Sequence, residues 1–217
     1  MPKALLLIGL ASVPLFCWAQ ETPQTKSAYV GAKLSMQTGQ PFNAYSSSRF
    51  GPALTLGAQI KPRLALELST AYMWRHDVYH GSYNTNVGLV MEDNDAYVHT
   101  FTLPVLVRAT LTKSAGPWHV DALVGPTLLV YFTNRNYLQT TQGKTTRSET
   151  GSYAEHQVSL TFGPSVRYTL TPQVELVVDA LANLNVSGFP YTLAAPISSQ
   201  LSSHVLAGLH YRLKRKI

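Results

Sequence analysis

The sequence predicts an all-β chain: an eight-stranded, antiparallel, up-and-down transmembrane barrel with short turns at one end and long loops at the other. Three observations predict it. Apolar and polar residues alternate with a period of two through eight separate runs. The polar face of these runs is rich in small residues, which suit a crowded interior better than a solvated surface. Connections between runs are alternately short and long, the rhythm of a membrane barrel.

Composition narrows the field. Of 217 residues only 13% are charged, while 45% are hydrophobic and mean hydropathy is zero. A soluble domain usually carries about 25% charged residues. Ser, Thr, Asn, Gln, Tyr and Gly fill the gap, which excludes coiled coils and long solvated helices. The apolar share also argues against disorder. The net charge is +6, but basic residues are scattered, apart from Arg212, Lys214, Arg215 and Lys216. No nucleic-acid partner is expected.

Residues 1–19 read as an export signal. Lys3 precedes an almost wholly apolar stretch from Ala4 to Phe16, and Cys17-Trp18-Ala19 has the small residues required for cleavage before Gln20. Thirteen helical residues span only about 20 Å, too short for a hydrocarbon core of about 30 Å. The barrel is then expected in residues 20–217. Cys17 is the only cysteine, so the mature chain has no disulfide, thiol nucleophile or cysteine-ligated metal.

The eight runs, in order, are Ser27–Met36, Pro52–Ile60, Leu64–Arg75, Tyr97–Leu111, Trp118–Phe132, Gln157–Leu170, Val174–Val186 and His204–Leu213. In the first, Val30, Leu34 and Met36 oppose Gly31, Lys33 and Ser35. The second sets Leu54 and Leu56 against Gly57, and the third Leu66 and Leu68 against Glu67 and Ser69. The fourth carries Phe101, Leu103, Val105 and Val107 opposite Arg108. The fifth and sixth set Val120, Val124, Leu160 and Phe162 against Asp121, Gly125, Gly163, Ser165 and Arg167. In the seventh, Leu176, Val178 and Ala180 oppose Glu175 and Asp179. The eighth ends with Leu209, Tyr211 and Leu213 opposite His210 and Arg212. No Asp, Glu, Lys or Arg falls on the apolar face of any run. A soluble lipocalin-like carrier or a sandwich would also alternate. The small residues on the polar face turn the assignment inside out, with the apolar face toward lipid.

Connections at Lys61–Arg63, Ser114–Pro117 and Thr171–Gln173 are short. Those at Gln37–Gly51, His76–Ala96, Thr133–His156 and Ser187–Ser203 are long, polar and without period. If the chain enters at the short-turn end, outward Tyr72, Trp74, Tyr97, Phe101 and Phe132 gather near one membrane interface. Outward Trp118, Tyr168 and Tyr211 gather near the other. Two aromatic girdles result. Pro104, Pro126 and Pro164 fall inside runs and predict bulges, because a strand proline removes a ladder bond.

In this pattern the chain resembles the outer-membrane β-barrel domain family of Gram-negative bacteria, over nearly all of Ser27–Leu213. Local carriers are Thr102-Leu103-Pro104-Val105-Leu106-Val107-Arg108, Leu123-Val124-Gly125-Pro126 and the final Leu209-His210-Tyr211-Arg212-Leu213. The tail Lys214-Arg215-Lys216-Ile217 departs from the aromatic ending of such barrels. The resemblance implies an outer-membrane location and contact with membrane lipid and lipopolysaccharide. It also implies biogenesis through periplasmic chaperones and the barrel-assembly machinery, and a ligand at the external loops that the residues do not identify. It implies either a structural or surface-interaction role in those loops, or a narrow porin-like channel.

An enzyme is not expected. Lipid A deacylases resemble this class and place a Ser two residues from an outward His, but His99-Thr100-Phe101 has none. His76 and His80 share a loop with Asp77, Glu92, Asp93 and Asp95, which reads as a solvated acidic loop rather than a calcium site. No cofactor or metal is expected. The lumen instead predicts a plug. Charges alternate in sign around the barrel near its short-turn end: Glu67, Arg108, Asp121, Arg167, Glu175 with Asp179, and Arg212, with Lys33 somewhat higher. Buried charges need partners, so this ring is expected to knit across the lumen in place of an apolar core.

Overall fold

The computed structural model describes residues 27–38, 48–86, 88–112, 116–187 and 200–213. The expected leader at 1–19, the basic tail, and most of the connections at Gln37–Gly51 and Ser187–Ser203 lie outside them.

The strands are β1 (Ala28–Thr38), β2 (Ser48–Lys61), β3 (Leu64–Thr85), β4 (Gly88–Thr110), β5 (Trp118–Thr141), β6 (Lys144–Thr169), β7 (Val174–Asn185) and β8 (Leu201–Leu213). Each pairs antiparallel with its neighbours in sequence, and the sheet closes on itself. Closure is made by β1 and β8, in register from Ala28↔Leu213 to Thr38↔Ser203. The ring has no free edge along its wall.

The alternation sorts the side chains as the sequence expects. Outward Leu34 is 74% exposed, whereas inward Glu67 is 1% exposed and Asp121 fully buried. Leu54, Leu66, Leu68, Val105, Val124, Leu160, Val178 and Leu209 share the outward wall with Leu34, all exposed.

Two of the long connections differ from expectation. Segments His76–Ala96 and Thr133–His156 are mostly strand. β3, β4, β5 and β6 run for 22, 23, 24 and 26 residues, against 11 to 14 for the others. About ten residues suffice to cross a membrane, so two twisted hairpins project from the wall by about 30 Å. Most positions on both faces of these extensions are at least partly exposed, with Val90 and Ala96 among the buried exceptions. A strand with two polar faces shows no alternation, which is why the sequence reads as loop there. The β5–β6 hairpin closes in two residues, with Gln142 at φ 50° and Gly143 at φ 75°. Positive φ at both central positions is the turn that matches strand twist.

The prolines are a second correction. No register shift occurs at Pro104, Pro126 or Pro164; shifts fall instead at Gln59/Lys61 and Gln139/Thr140. Each proline turns its missing N–H toward one neighbour and stays paired with the other. Pro126 pairs with Leu160 on β6 and Pro164 with Ala122 on β5, while Pro104 pairs with Thr127 on β5. Opposite Pro126 and Pro164, the carbonyls left without a donor settle over the preceding glycine. A Cβ on Gly125 would lie 2.0 Å from the Val105 oxygen, and one on Gly163 2.1 Å from the Ala180 oxygen. Gly51-Pro52 repeats the device against Tyr72, at 1.8 Å. At Pro126 and Pro164 the Gly-Pro step keeps the register flush, so no bulge is needed, while Pro104, preceded by Leu103, is flush without one.

Candidate functional site: the filled lumen and its two ends

The inward positions build the interior in layers. Nearest the short turns, four cations and four carboxylates interlock. Arg108 on β4 reaches Glu67 on β3 at 2.8 Å, Asp121 on β5 at 2.9 Å and Asp179 on β7 at 3.2 Å. Lys33 on β1 joins Glu67 at 3.1 Å and Asp179 at 2.7 Å. Arg167 on β6 holds Asp121 at 2.5 Å and Glu175 at 3.1 Å. Glu175 also takes Arg212 of β8 at 2.5 Å. All eight residues singled out from the sequence therefore meet in one network. Charges of opposite sign balance within it, which limits the desolvation cost of burying them.

Neutral side chains add further hydrogen bonds to the network. Tyr29 donates to Glu67 at 2.9 Å and Thr110 to Asp121 at 2.8 Å, while Ser165 accepts from Arg108 at 2.7 Å. Sequence reasoning passed over Tyr29, although its position in the same phase as Lys33 marks it as inward. Its ring stacks on His210 with centroids 4.7 Å apart. Gly57 leaves room for that ring and Gly31 for the His210 ring, since a Cβ at either would sit within 2.5 Å of it.

Above the charges lies a layer the sequence reading does not expect. Ala53, Ala71, Leu106, Leu123, Leu181 and Leu206 form a buried apolar cluster inside the lumen. The charge network therefore adds to an apolar core and does not replace one. Each of these residues lies on the polar phase of its strand, Leu106 between Pro104 and Arg108 and Leu181 between Asp179 and Asn183, so the layer exists only where six strands bring them to one height. Still higher, Thr127 meets Thr161 at 2.5 Å, Thr161 donates to Asn183 at 2.6 Å, and Ser35 bonds His204 at 2.6 Å.

These layers separate two cavities. One of about 240 Å³ lies at the short-turn end against Tyr29, Arg108, Arg167 and Arg212. The other, of about 600 Å³, lies in the hairpin half, lined in part by Gln37, Arg49, Arg75, Tyr131 and Arg135.

The aromatic residues fall at two heights on the outer wall. Phe101 packs against Tyr72 at 4.8 Å and Phe132 at 6.0 Å, with Trp74 and Tyr97 beside them. At the other end Trp118 and Tyr168 lie 4.6 Å apart, and Tyr211 is exposed near Val174 of the adjacent strand. Outward His99 accepts or donates through Nδ1 to the Tyr72 hydroxyl at 2.7 Å.

The acidic residues of the first hairpin divide between its two faces rather than sharing one loop. Asp93 bonds His80 and Asp95 bonds His76, each at 2.6 Å, on the outward face. Asp77 pairs with Arg75 on the other face. Glu92 accepts from Tyr83 at 3.0 Å and Tyr137 at 2.9 Å, which raises the pKa of both phenols.

No family model matches the chain, and no curated protein matches it. Solved structures do. A major outer membrane protein from Thermus thermophilus is 14% identical, covering 86% of this chain and 99% of that one at a TM-score of 0.57. Ail, the attachment invasion locus protein of Yersinia pestis, is 13% identical over 87% of this chain and 97% of its own, with a TM-score of 0.45. Acinetobacter baumannii CarO is 10% identical over 84% and 97%, at 0.41. The closed, sequential ring of eight antiparallel strands, turned apolar side out, is the fold of the outer-membrane β-barrel proteins.

Proposed function

We propose that the chain is an integral outer-membrane protein that acts at the cell surface through its two long hairpins, with its lumen held shut. The observation that carries this reading is the outward wall. Leu34, Leu54, Leu66, Leu103, Leu128 and Val178 are exposed on it, no Asp, Glu, Lys or Arg falls on it between the two aromatic belts among the described residues, and aromatic rings border it above and below. Soluble proteins rarely expose so continuous an apolar surface; a bilayer requires one. In that membrane the wall contacts lipid and lipopolysaccharide. Residues 1–19 direct export, and periplasmic chaperones and the barrel-assembly machinery deliver the strands. The long hairpins face outside and the short turns the periplasm, the usual sense of such barrels.

The layered lumen supports a closed barrel, consistent with eight strands leaving just enough interior for side chains to fill. A narrow channel is the second reading, favoured by the cavities at the two ends. Membrane fractionation combined with heat-modifiable gel mobility tests the location; recovery in the soluble periplasmic fraction overturns it. Planar-bilayer recording tests the lumen. Small or no steady conductance is expected, and large stable channels would select the second reading.

A further inference from the structure

We propose that the cavity in the hairpin half binds a small hydroxylated anion, a sugar acid or sugar phosphate. This goes beyond the reading above, because binding to the protein in detergent micelles does not depend on which membrane holds it.

The charges in this cavity are arranged unlike those below it. The lower network matches four cations to four carboxylates. Among the described residues, the cavity is lined by Arg49, Arg75 and Arg135 but by two carboxylates, Asp77 and Glu155. Asp77 is engaged by Arg75. Among the described residues, no carboxylate lies within ion-pair distance of Arg49 or Arg135. Arg49 donates to Thr100 Oγ1 at 3.2 Å and lies over the Tyr131 ring at 5.1 Å. Arg135 donates to Asn94 Oδ1 at 2.5 Å and lies over the Tyr137 ring at 5.3 Å. Arg49 is half-buried and Arg135 exposed, and guanidinium groups held against neutral partners keep their capacity for an oxyanion.

A second observation is independent of charge. Among the described residues, two buried polar atoms here have no hydrogen-bond partner: Arg49 Nε, a donor, and Gln37 Oε1, an acceptor. Gln37 is only 3% exposed. The two residues are cross-strand partners on β1 and β2, and both line the cavity. An unmade hydrogen bond at a buried polar atom carries a desolvation cost that a bound partner relieves. A simple inorganic anion can satisfy Arg49 but has no proton for Gln37 Oε1. A neutral sugar has a hydroxyl for Gln37 but no charge for the arginines. A molecule with an anionic oxygen beside a hydroxyl serves both. Tyr131 and Tyr153 add ring faces to the lining, and about 600 Å³ is within the range of small-molecule sites, roughly 300–1,000 Å³.

The test is calorimetric titration of the refolded chain in micelles at low ionic strength. Glucuronate and glucose 6-phosphate should bind, with glucose and inorganic phosphate about tenfold weaker or more, a ratio worth about 1.4 kcal/mol. Arg49→Gln should weaken glucuronate about tenfold and Arg135→Gln by less. Arg147→Gln, which removes a pair with Glu149 elsewhere on the hairpin, should change nothing. If Arg49→Gln loses heat-modifiable mobility, Arg135→Gln decides alone. Competition by delipidated lipopolysaccharide core separates two sources of the same chemistry: displacement assigns the site to envelope sugars, no displacement to a free solute. The proposal is overturned if wild type binds neither hydroxylated anion, if inorganic phosphate binds as tightly as glucose 6-phosphate, or if both cavity variants keep full affinity.

Discussion

Arg108 of β4 and Asp179 of β7 meet across the lumen, guanidinium Nη2 to carboxylate Oδ1 at 3.2 Å. Their strands are not neighbours in the ring, so this contact is a strut between opposite walls. Lys33 braces the same carboxylate from β1 at 2.7 Å. A barrel whose outer wall faces lipid gains little from burying that wall, and cross-lumen bonds of this kind hold its cross-section.

Arg108→Ala should therefore cost about 3–5 kcal/mol, the usual penalty for leaving buried charges uncompensated. Asp179→Asn should cost less, because Lys33 keeps Glu67, and Arg108 keeps Glu67 and Asp121. Urea unfolding in micelles measures both. Equal stability of Arg108→Ala and wild type would remove the strut from the account.

The outer wall should reject charge according to depth. Ala180 lies midway along β7 and pairs with outward Val205, whereas Leu213 ends β8 opposite Ala28. Arginine at position 180 should cost about 2–4 kcal/mol and at position 213 about 0–1 kcal/mol. Refolding titrations into lipid vesicles give the comparison. The reverse order would contradict the placement of the membrane on this wall.

Gly125→Ala should be costly for its size. Its Cβ would lie 2.0 Å from the Val105 carbonyl oxygen, a backbone atom on the adjacent strand that cannot rotate away. Overpacking of this kind costs about 1–3 kcal/mol. Gly151→Ala meets nothing within 4 Å and serves as control, so a similar loss in both would mean that the Gly-Pro step is not a close-packed device.

Trypsin on intact cells should cut beside the β5–β6 turn, at Lys144 or Arg147, where the chain is exposed and the ladder reverses. Arg63, in the short β2–β3 turn, should survive until the membrane is broken. Mass spectrometry of released peptides reads the result, and early cleavage at Arg63 would invert the topology.

Strand number, the lipid-facing side and the eight residues of the charge network were legible in the sequence because side-chain alternation is local. Once Leu66 points outward, Glu67 must point inward, whatever the rest of the chain does. Lipid excludes charge from every outward position, so the pattern in β1, β7 and β8 is clean enough to count. The same logic fails above the membrane. In His76–Ala96 and Thr133–His156 polar residues fall on both faces, no period is legible in the sequence, and only the pairing of β3 with β4 and β5 with β6 makes them strands. The prolines misled for a related reason. A proline's missing N–H breaks a ladder, but whether the neighbour shifts depends on the residue over which its carbonyl can settle, and Gly125 and Gly163 supply that room. Which charges touch was likewise decided by tertiary structure. Arg108 meets Asp179 rather than only its ring neighbours because barrel closure sets the stagger of all eight strands together. The same stagger brings Ala53, Ala71, Leu106, Leu123, Leu181 and Leu206 to one height as an apolar layer. Height around a closed ring is a sum over every pairing, and no single strand encodes it.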